Sequence, residues 1–278
     1  VAPTLVASYF VQQNTTAGTA LTTPSFTPAN GEVIVVKLGT WTTTTSMGAP
    51  TGGSQTYTSR IIDAPGGFNA WVGIYTAVIS GSPGSMTISS TPSASARYSM
   101  TVERWSGAQL AASPSTNSAN GAGAPSGGLI ASAGSIISWC SADVASIDPS
   151  SRAYLGSGTD EGVRDGHTGS NGVEYYGYLT ATGGFQNFGL SLPTGQTYVI
   201  VGIEVQASAA AAAPPPQPSI RRRGQAQAVA RAGRRTGVTK AVLGTQPPPP
   251  TGGRPARRKG PFPARRARLA AVTPPQVV

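Results

Sequence analysis

This chain has little of what most protein chemistry uses. Among 278 residues there is one cysteine, Cys140, and one histidine, His167. A single thiol excludes an intrachain disulfide. Cys140 lies in the apolar run 136–140 (IISWC), where a small buried residue is expected. A Ser–His–Asp site needs one imidazole held between a nucleophile and an orienting carboxylate. His167 ends the run 160–167 (DEGVRDGH), and none of the many serines sits in a nucleophile-elbow pattern. Charged residues make up only 11% of the chain, against roughly 25% in ordinary soluble domains. No stretch approaches the roughly 18 consecutive apolar residues of a membrane span, so membrane insertion is not expected. Helical periodicity is absent from residues 1–206 as well. Acidic residues stop at Glu204.

What the chain does contain is turns and short apolar runs. It has 36 glycines, 24 prolines and 38% hydrophobic residues. Strand patterns fall at 4–13 (TLVASYFVQQ), near 25–27, and at 32–41 (EVIVVKLGTW), 55–62, 68–80 (FNAWVGIYTAVIS), 86–90 and 98–105 (YSMTVERW). They continue at 129–131, 135–141 (SIISWCS), 172–180 (GVEYYGYLT), 186–192 and 196–205. In 98–105, alternation sets Tyr98, Met100, Val102 and Arg104 on one face and Ser99, Thr101, Glu103 and Trp105 on the other. Residues 106–126 and 142–171 read as polar connections. The expectation is an all-β domain over residues 1–206, an antiparallel β-sandwich of jelly-roll-like arrangement. About 200 residues suffice to bury a core without metals or disulfides.

Charge divides the chain. Residues 1–206 carry six basic and ten acidic residues, net −4, whereas residues 207–278 carry fourteen basic residues and no acid. Residues 207–219 are an Ala/Pro linker, and residues 220–278 form a Pro/Arg-rich C-terminal arm. Alone in water such a composition is expected to stay extended and unfolded. Its arginines are the candidate partner-binding residues: Arg221, Arg222, Arg223, Arg231, Arg234, Arg235, Arg257, Arg258, Arg265 and Arg266. Guanidinium forks suit carboxylates of neighbouring protein subunits. They also suit phosphates, with a steep salt dependence. Phe262, the arm's one aromatic, leaves almost no base stacking, which puts nucleic acid second to protein.

Other chemistry is thinly supported. A glycosidase needs two facing carboxylates, and Asp143, Asp148, Asp160, Glu161, Asp165 and Glu174 show no such pattern. The run 160–171 offers oxygen ligands for a cation, but its twelfth position is Asn171, not the glutamate of an EF-hand loop. Neither a catalytic residue, a cofactor nor a metal ligand is assigned. Tyr175 and Tyr176 are candidate glycan contacts, because alternation on a one-sided sheet turns one of the pair outward.

Several phrases point further. They are 26–37 (FTPANGEVIVVK), 99–108 (SMTVERWSGA), Ser138-Trp139 with the later DGH and GSNG, and 193–196 (PTGQ). In these, residues 4–206 resemble β-rich virion proteins of tailed phages infecting actinobacteria, of the kind labelled minor tail proteins. The resemblance implies a non-enzymatic structural role in the virion, with other tail or capsid subunits as partners and a homo-oligomeric arrangement. It supplies no catalytic residue and does not reach the arm. Capsid decoration or a head fibre is the second reading. A soluble carbohydrate-binding module with a nucleic-acid-binding tail is the third. The first residues (VAPTLVASYF) lack a basic n-region and a cleavable apolar core, so synthesis in the bacterial host cytoplasm is expected.

Overall fold

Runs of β-branched and aromatic residues, separated by turns rich in glycine and proline, set the strands. The computed structural model describes residues 1–13, 19–42, 46–94, 97–145, 147–166 and 172–209. The basic arm of 220–278, with its ten candidate arginines, lies outside the described residues, as does His167. The first half of the body holds β1 (Thr4–Gln13), β2 (Leu21–Thr22), β3 (Val33–Thr40), β4 (Thr58–Asp63), β5 (Trp71–Val78), β6 (Ser89–Ser90) and β7 (Tyr98–Ser106). The second half holds β8 (Ala108–Gln109), β9 (Thr116–Gly123), β10 (Ser126–Ala131), β11 (Ile136–Asp143), β12 (Ala153–Tyr154), β13 (Thr159–Arg164), β14 (Val173–Thr180), β15 (Gly184–Leu192) and β16 (Gln196–Ala207). The protein is all-β with antiparallel sheets. Among the described residues the one helical turn is a short 3-10 segment at Pro149–Ser151.

Two large sheets result, each drawn from one half of the chain. The first runs β1-β7-β3-β5-β4 and the second β13-β14-β11-β16, with β8 and β9 both pairing with β16. Read from β9, the second sheet is β9-β16-β11-β14-β13. Leaving aside the two-residue β8, the five strands of each large sheet therefore lie in the order first, fifth, second, fourth, third. The smaller pairs repeat too. β2 pairs with β6, and β10 pairs with β15, each joining the segment after the first long strand to the segment before the last. Details repeat with them. Gly31 N–H donates to Ile79 O and Ile79 N–H to Glu32 O, both at 2.8 Å; Gly134 and Ala181, and Ala181 and Ser135, make the same two bonds at 2.8 Å. Gly31 and Gly134 hold φ of 82° and 77°, which a residue with a Cβ adopts only under strain. The edge strands β4 and β13 both carry a bulge against their partner, between Ser59 and Ile61 and between Asp160 and Gly162.

Equivalent faces of the two sheets meet. Val33, Val35, Val72, Ile74 and Trp105 pack against Ile136, Cys140, Tyr176, Val201, Ile203 and Val205. The outer face of the first sheet (Ile34, Val36, Leu38, Tyr75, Met100) is covered by Leu21, Phe26, Met47, Met86 and Ile88 from the β2/β6 layer and its neighbouring segments. The outer face of the second (Ile137, Trp139, Tyr175, Leu179, Ile200) is covered by Leu129, Phe188, Leu190 and Tyr154 from the β10-β15-β12 layer. Each large sheet is thus buried on both sides, which accounts for continuous burial along β3 and β11. Most strands run near the expected ranges, but the one expected near 25–27 is only an isolated bridge from Phe26 to Met86, and the strand of that segment is β2 at Leu21–Thr22. β16 ends at Ala207, one residue past the boundary expected at 206.

Two expected connections contain strands. Residues 106–126 include β9 and residues 142–171 include β12 and β13. β9 (TNSANGAG) has no apolar alternation to show; it is an edge strand held by backbone pairing with β16 over Thr116–Gly123.

Candidate functional site: buried ionic clusters between the sheets

Along β3 the inward face reads Val33, Val35, Lys37, so alternation carries a lysine into the space between the sheets. Glu103 lies on the adjacent strand β7, opposite Val35 and diagonal to Lys37, within reach of a long side chain. The third member comes from the other half. In β13, Asp160 pairs with Gly177 and Gly162 with Tyr176, leaving Glu161 as the extra residue of the bulge. A bulge re-aims a side chain, and this one sends Glu161 inward. Gly162 takes φ 139° there, and a Cβ on it would stand 2.7 Å from the Phe10 ring.

Lys37 Nζ donates to Glu103 Oε1 at 2.6 Å, to Gly177 O at 3.1 Å and to Glu161 Oε2. Ser138 Oγ donates to Glu103 Oε1 at 2.9 Å and Trp105 Nε1 to Glu103 Oε2 at 2.8 Å. The side chains of Lys37, Glu103 and Glu161 are 0%, 0% and 2% exposed. One ammonium faces two carboxyls. Burial alone would lift Glu103, but Lys37 and the other donors hold it below its ordinary value. Burial, and then the charge of Glu103, push Glu161 up to about 8. Two carboxyls around one buried ammonium resist ionising together, and their surroundings push them apart, Glu103 down and Glu161 up.

A second cluster lies toward the other end of the same strands. Arg164 on β13 stands in register with Glu174 on β14. Its Nε and Nη2 donate to the two Glu174 oxygens, the latter at 2.8 Å, and Nη2 also reaches Gly172 O at 2.9 Å. Ser99 Oγ donates to Glu174 Oε2 at 3.2 Å, and Tyr176 Oη donates to Ser99 O at 2.9 Å. Gly39 opens the room, since a Cβ there would stand 2.9 Å from Tyr176 Oη. Burial raises Glu174 above its ordinary value despite Arg164. Behind it, on the opposite face of the second sheet, Gln196 Nε2 bridges Asp143 Oδ2 at 3.2 Å and Tyr175 Oη at 2.6 Å. Burial pushes Asp143 up to about 7.

The expected glycan contacts are corrected by this geometry. Tyr175 and Tyr176 are both fully buried, because the sheet that carries them is covered on both faces. Tyr176 faces the first sheet and Tyr175 faces the β10-β15-β12 layer. Exposed apolar surface falls elsewhere, on the cross-strand pair Ile130 and Phe185, 70% and 66% exposed. Cys140 is buried, as its apolar run implies. Of the candidate cation loop, Glu161 is turned into the core and Asp160 accepts from Arg152 Nε at 2.9 Å and from Gly162 N–H at 2.9 Å. No group of three or more His, Cys, Asp or Glu side chains suited to a metal occurs among the described residues. A shallow groove of about 440 Å³, lined by Gly53, Ser54, Gln55, Ser80, Pro83 and Met86 among others, carries no titratable side chain.

Sequence patterning puts Glu103 on one face of β7 with Ser99, Thr101 and Trp105, without saying what that face meets. It misses Lys37, Glu161, Arg164 and Glu174 as a set. The one available signal is a charged residue inside an otherwise continuous apolar strand, as at Lys37 and Glu174. No family model, curated protein or solved structure matches the chain.

Proposed function

We propose that this chain is a non-enzymatic structural protein of a bacteriophage virion, of the minor tail type. In this reading an all-β body projects from the particle and the basic C-terminal segment binds neighbouring subunits. One observation carries it: the break in charge after the last strand. A body of net −4 with both large sheets covered on both faces gives way to fourteen cations without an acid. A rigid, mildly acidic block joined to a cationic, proline-rich segment suits attachment to a larger assembly through charge-assisted arginine bonds. The finer fold reading is a β-sandwich of jelly-roll type. The nested pairing in each half supports it: the first strand of the large sheet with the last, and the strand after the first with the one before the last.

Attachment to a capsid rather than a tail uses the same chemistry and is the second reading. A soluble carbohydrate-binding module loses support because Tyr175 and Tyr176 are buried. Glycan contact by the virion protein loses those two residues for the same reason.

The test uses particles. Gold-tagged antibody against the body, applied to purified virions, is expected to label the tail. A chain ended after Ala209 is expected to leave the body folded and unattached. The cut belongs there because Ser208 N–H still donates to Gly107 O and the Val1 amino group to Ser208 O. Label on the head selects the capsid reading. Absence of label from intact particles, or normal incorporation of the shortened chain, refutes attachment through the C-terminal segment.

A further inference from the structure

We propose that Lys37 and Glu161 condense into an intramolecular amide between Nζ and Cδ, with Glu103 as the proton acceptor, so that the two halves of the body are joined covalently through the core. This inference stands apart from the virion reading.

The reacting groups are already in contact, since Lys37 Nζ donates to Glu161 Oε2 in the inter-sheet space. The fold holds both termini of the prospective bond on rigid strands. Such placement is worth effective molarities of roughly 10⁵–10⁸ M when the geometry is reactive. The electrophile must be the carboxylic acid, because an amine does not add to a carboxylate. Glu161 meets that condition by geometry: its side chain is 2% exposed and shares a single buried ammonium with Glu103, and two carboxyls in one such site cannot both stay ionised. The base must be ionised and must touch the amine. Glu103 accepts from Lys37 at 2.6 Å and is oriented by Ser138 and Trp105. Water, which would solvate the ammonium and reverse the reaction, is excluded. Trp105 packs edge-on against Tyr178 at 5.0 Å, and the Phe10 ring closes over Gly162 beside Glu161.

The step balances. Glu103 carboxylate takes one proton from the Lys37 ammonium, and the freed lone pair forms the N–C bond at Glu161 Cδ. The carbonyl π pair moves to oxygen. On collapse the C–O bond to the hydroxyl breaks, and that hydroxyl leaves as water with a second proton from nitrogen. The third stays on the amide nitrogen. An ammonium, a carboxylic acid and a carboxylate become an amide, a protonated Glu103 and one water. No oxidant, nucleotide or metal is consumed. The driving force is the removal of a buried ion pair, whose desolvation its own attraction repays poorly, together with release of water to bulk.

The bond would link positions 124 residues apart and stitch β3 of the first sheet to β13 of the second. The test is the intact mass of the purified full chain, followed by a tryptic digest. The expected result is a protein lighter than its sequence by one water. Trypsin cuts after Arg60, Arg152 and Arg164, so residues 1–60 are expected joined to 153–164, with no cleavage after the acylated Lys37. Glu161→Ala and Glu103→Gln are expected at their sequence masses. A wild-type chain at its full sequence mass, with separate peptides and cleavage after Lys37, overturns the proposal. So does a water loss that persists in Glu161→Ala. Should either variant fail to fold, the wild-type digest still decides alone.

Discussion

Removing the Arg164 guanidinium tests whether charges between the sheets are held by desolvated pairing. Arg164 and Glu174 are 1% and 0% exposed. Truncation to alanine leaves Glu174 in the core with Ser99 Oγ, at 3.2 Å, as its remaining side-chain donor. Breaking one side of a buried pair costs about 3–5 kcal/mol. At about 2–4 °C per kcal/mol for a body of this size, Tm falls by roughly 6–20 °C. Urea unfolding of the full chain, followed by fluorescence of the buried tryptophans, reads the change. Alanine also removes the aliphatic stem. Arg164→Met keeps that volume and isolates the charge, and Arg164→Met with Glu174→Gln removes both charges and is expected to recover most of the loss. A second signature is pH. Burial already raises Glu174, and loss of Arg164 raises it further. A carboxyl with a raised folded pKa contributes stability that is present below its unfolded value and lost as pH rises through the folded one. The deficit of Arg164→Met should therefore shrink toward pH 4.5, the ordinary value for glutamate. A loss below about 1 kcal/mol, the worth of a solvated surface pair, with no pH dependence, would refute the reasoning.

Three further outcomes are expected. Asp143, lifted by burial from 3.8 to about 7, contributes stability that is complete below pH 3.8 and declines as pH rises through about 7. The total is on the order of 4 kcal/mol, and Asp143→Asn should flatten that part of the profile in urea titrations from acid to neutral pH. Gly31→Ala and Gly134→Ala occupy equivalent turns with nothing within 4 Å of the added methyl. Each should cost about 1–2 kcal/mol from backbone strain alone, and markedly unequal losses by thermal unfolding would contradict the equivalence of the two halves. A chain ended after Ala209 should keep the Tm of the full chain, measured by calorimetry, whereas ending it before β16 should abolish folding.

Legibility in the sequence followed local signal. β1, β3, β5, β7, β11, β14 and β16 were visible because each is an apolar or alternating run between turn residues, and hydrophobic periodicity needs no knowledge of neighbours. β9 and β13 were not, since a strand of Ser, Asn and Gly, or one of Thr, Asp and Glu, shows its identity through backbone pairing with a distant segment. The same limit governed Tyr175 and Tyr176. Alternation correctly put them on opposite faces of β14, but exposure depended on whether both faces were covered. Glu161 read as part of a polar loop because its inward turn is made by a bulge, and a bulge exists only relative to the partner strand.

The sequence alone determined the all-β antiparallel class, the sorting of β7 residues onto two faces, the burial of Cys140 and the division of charge between body and arm. These follow from composition and from side-chain alternation within single strands. The tertiary structure decided the repeated strand order of the two halves, the burial of both large sheets on both faces, and the meeting of Lys37, Glu103 and Glu161 and of Arg164 with Glu174. The clustered residues lie from 10 to 124 positions apart, and the equivalence of the halves is one of backbone geometry: Val33-Ile34-Val35-Val36-Lys37 and Ile136-Ile137-Ser138-Trp139-Cys140 occupy matching places with little chemistry in common. Hydrogen-bond register and packing between sheets can be the same for different side chains, so that kind of likeness is carried by the fold and not by the letters.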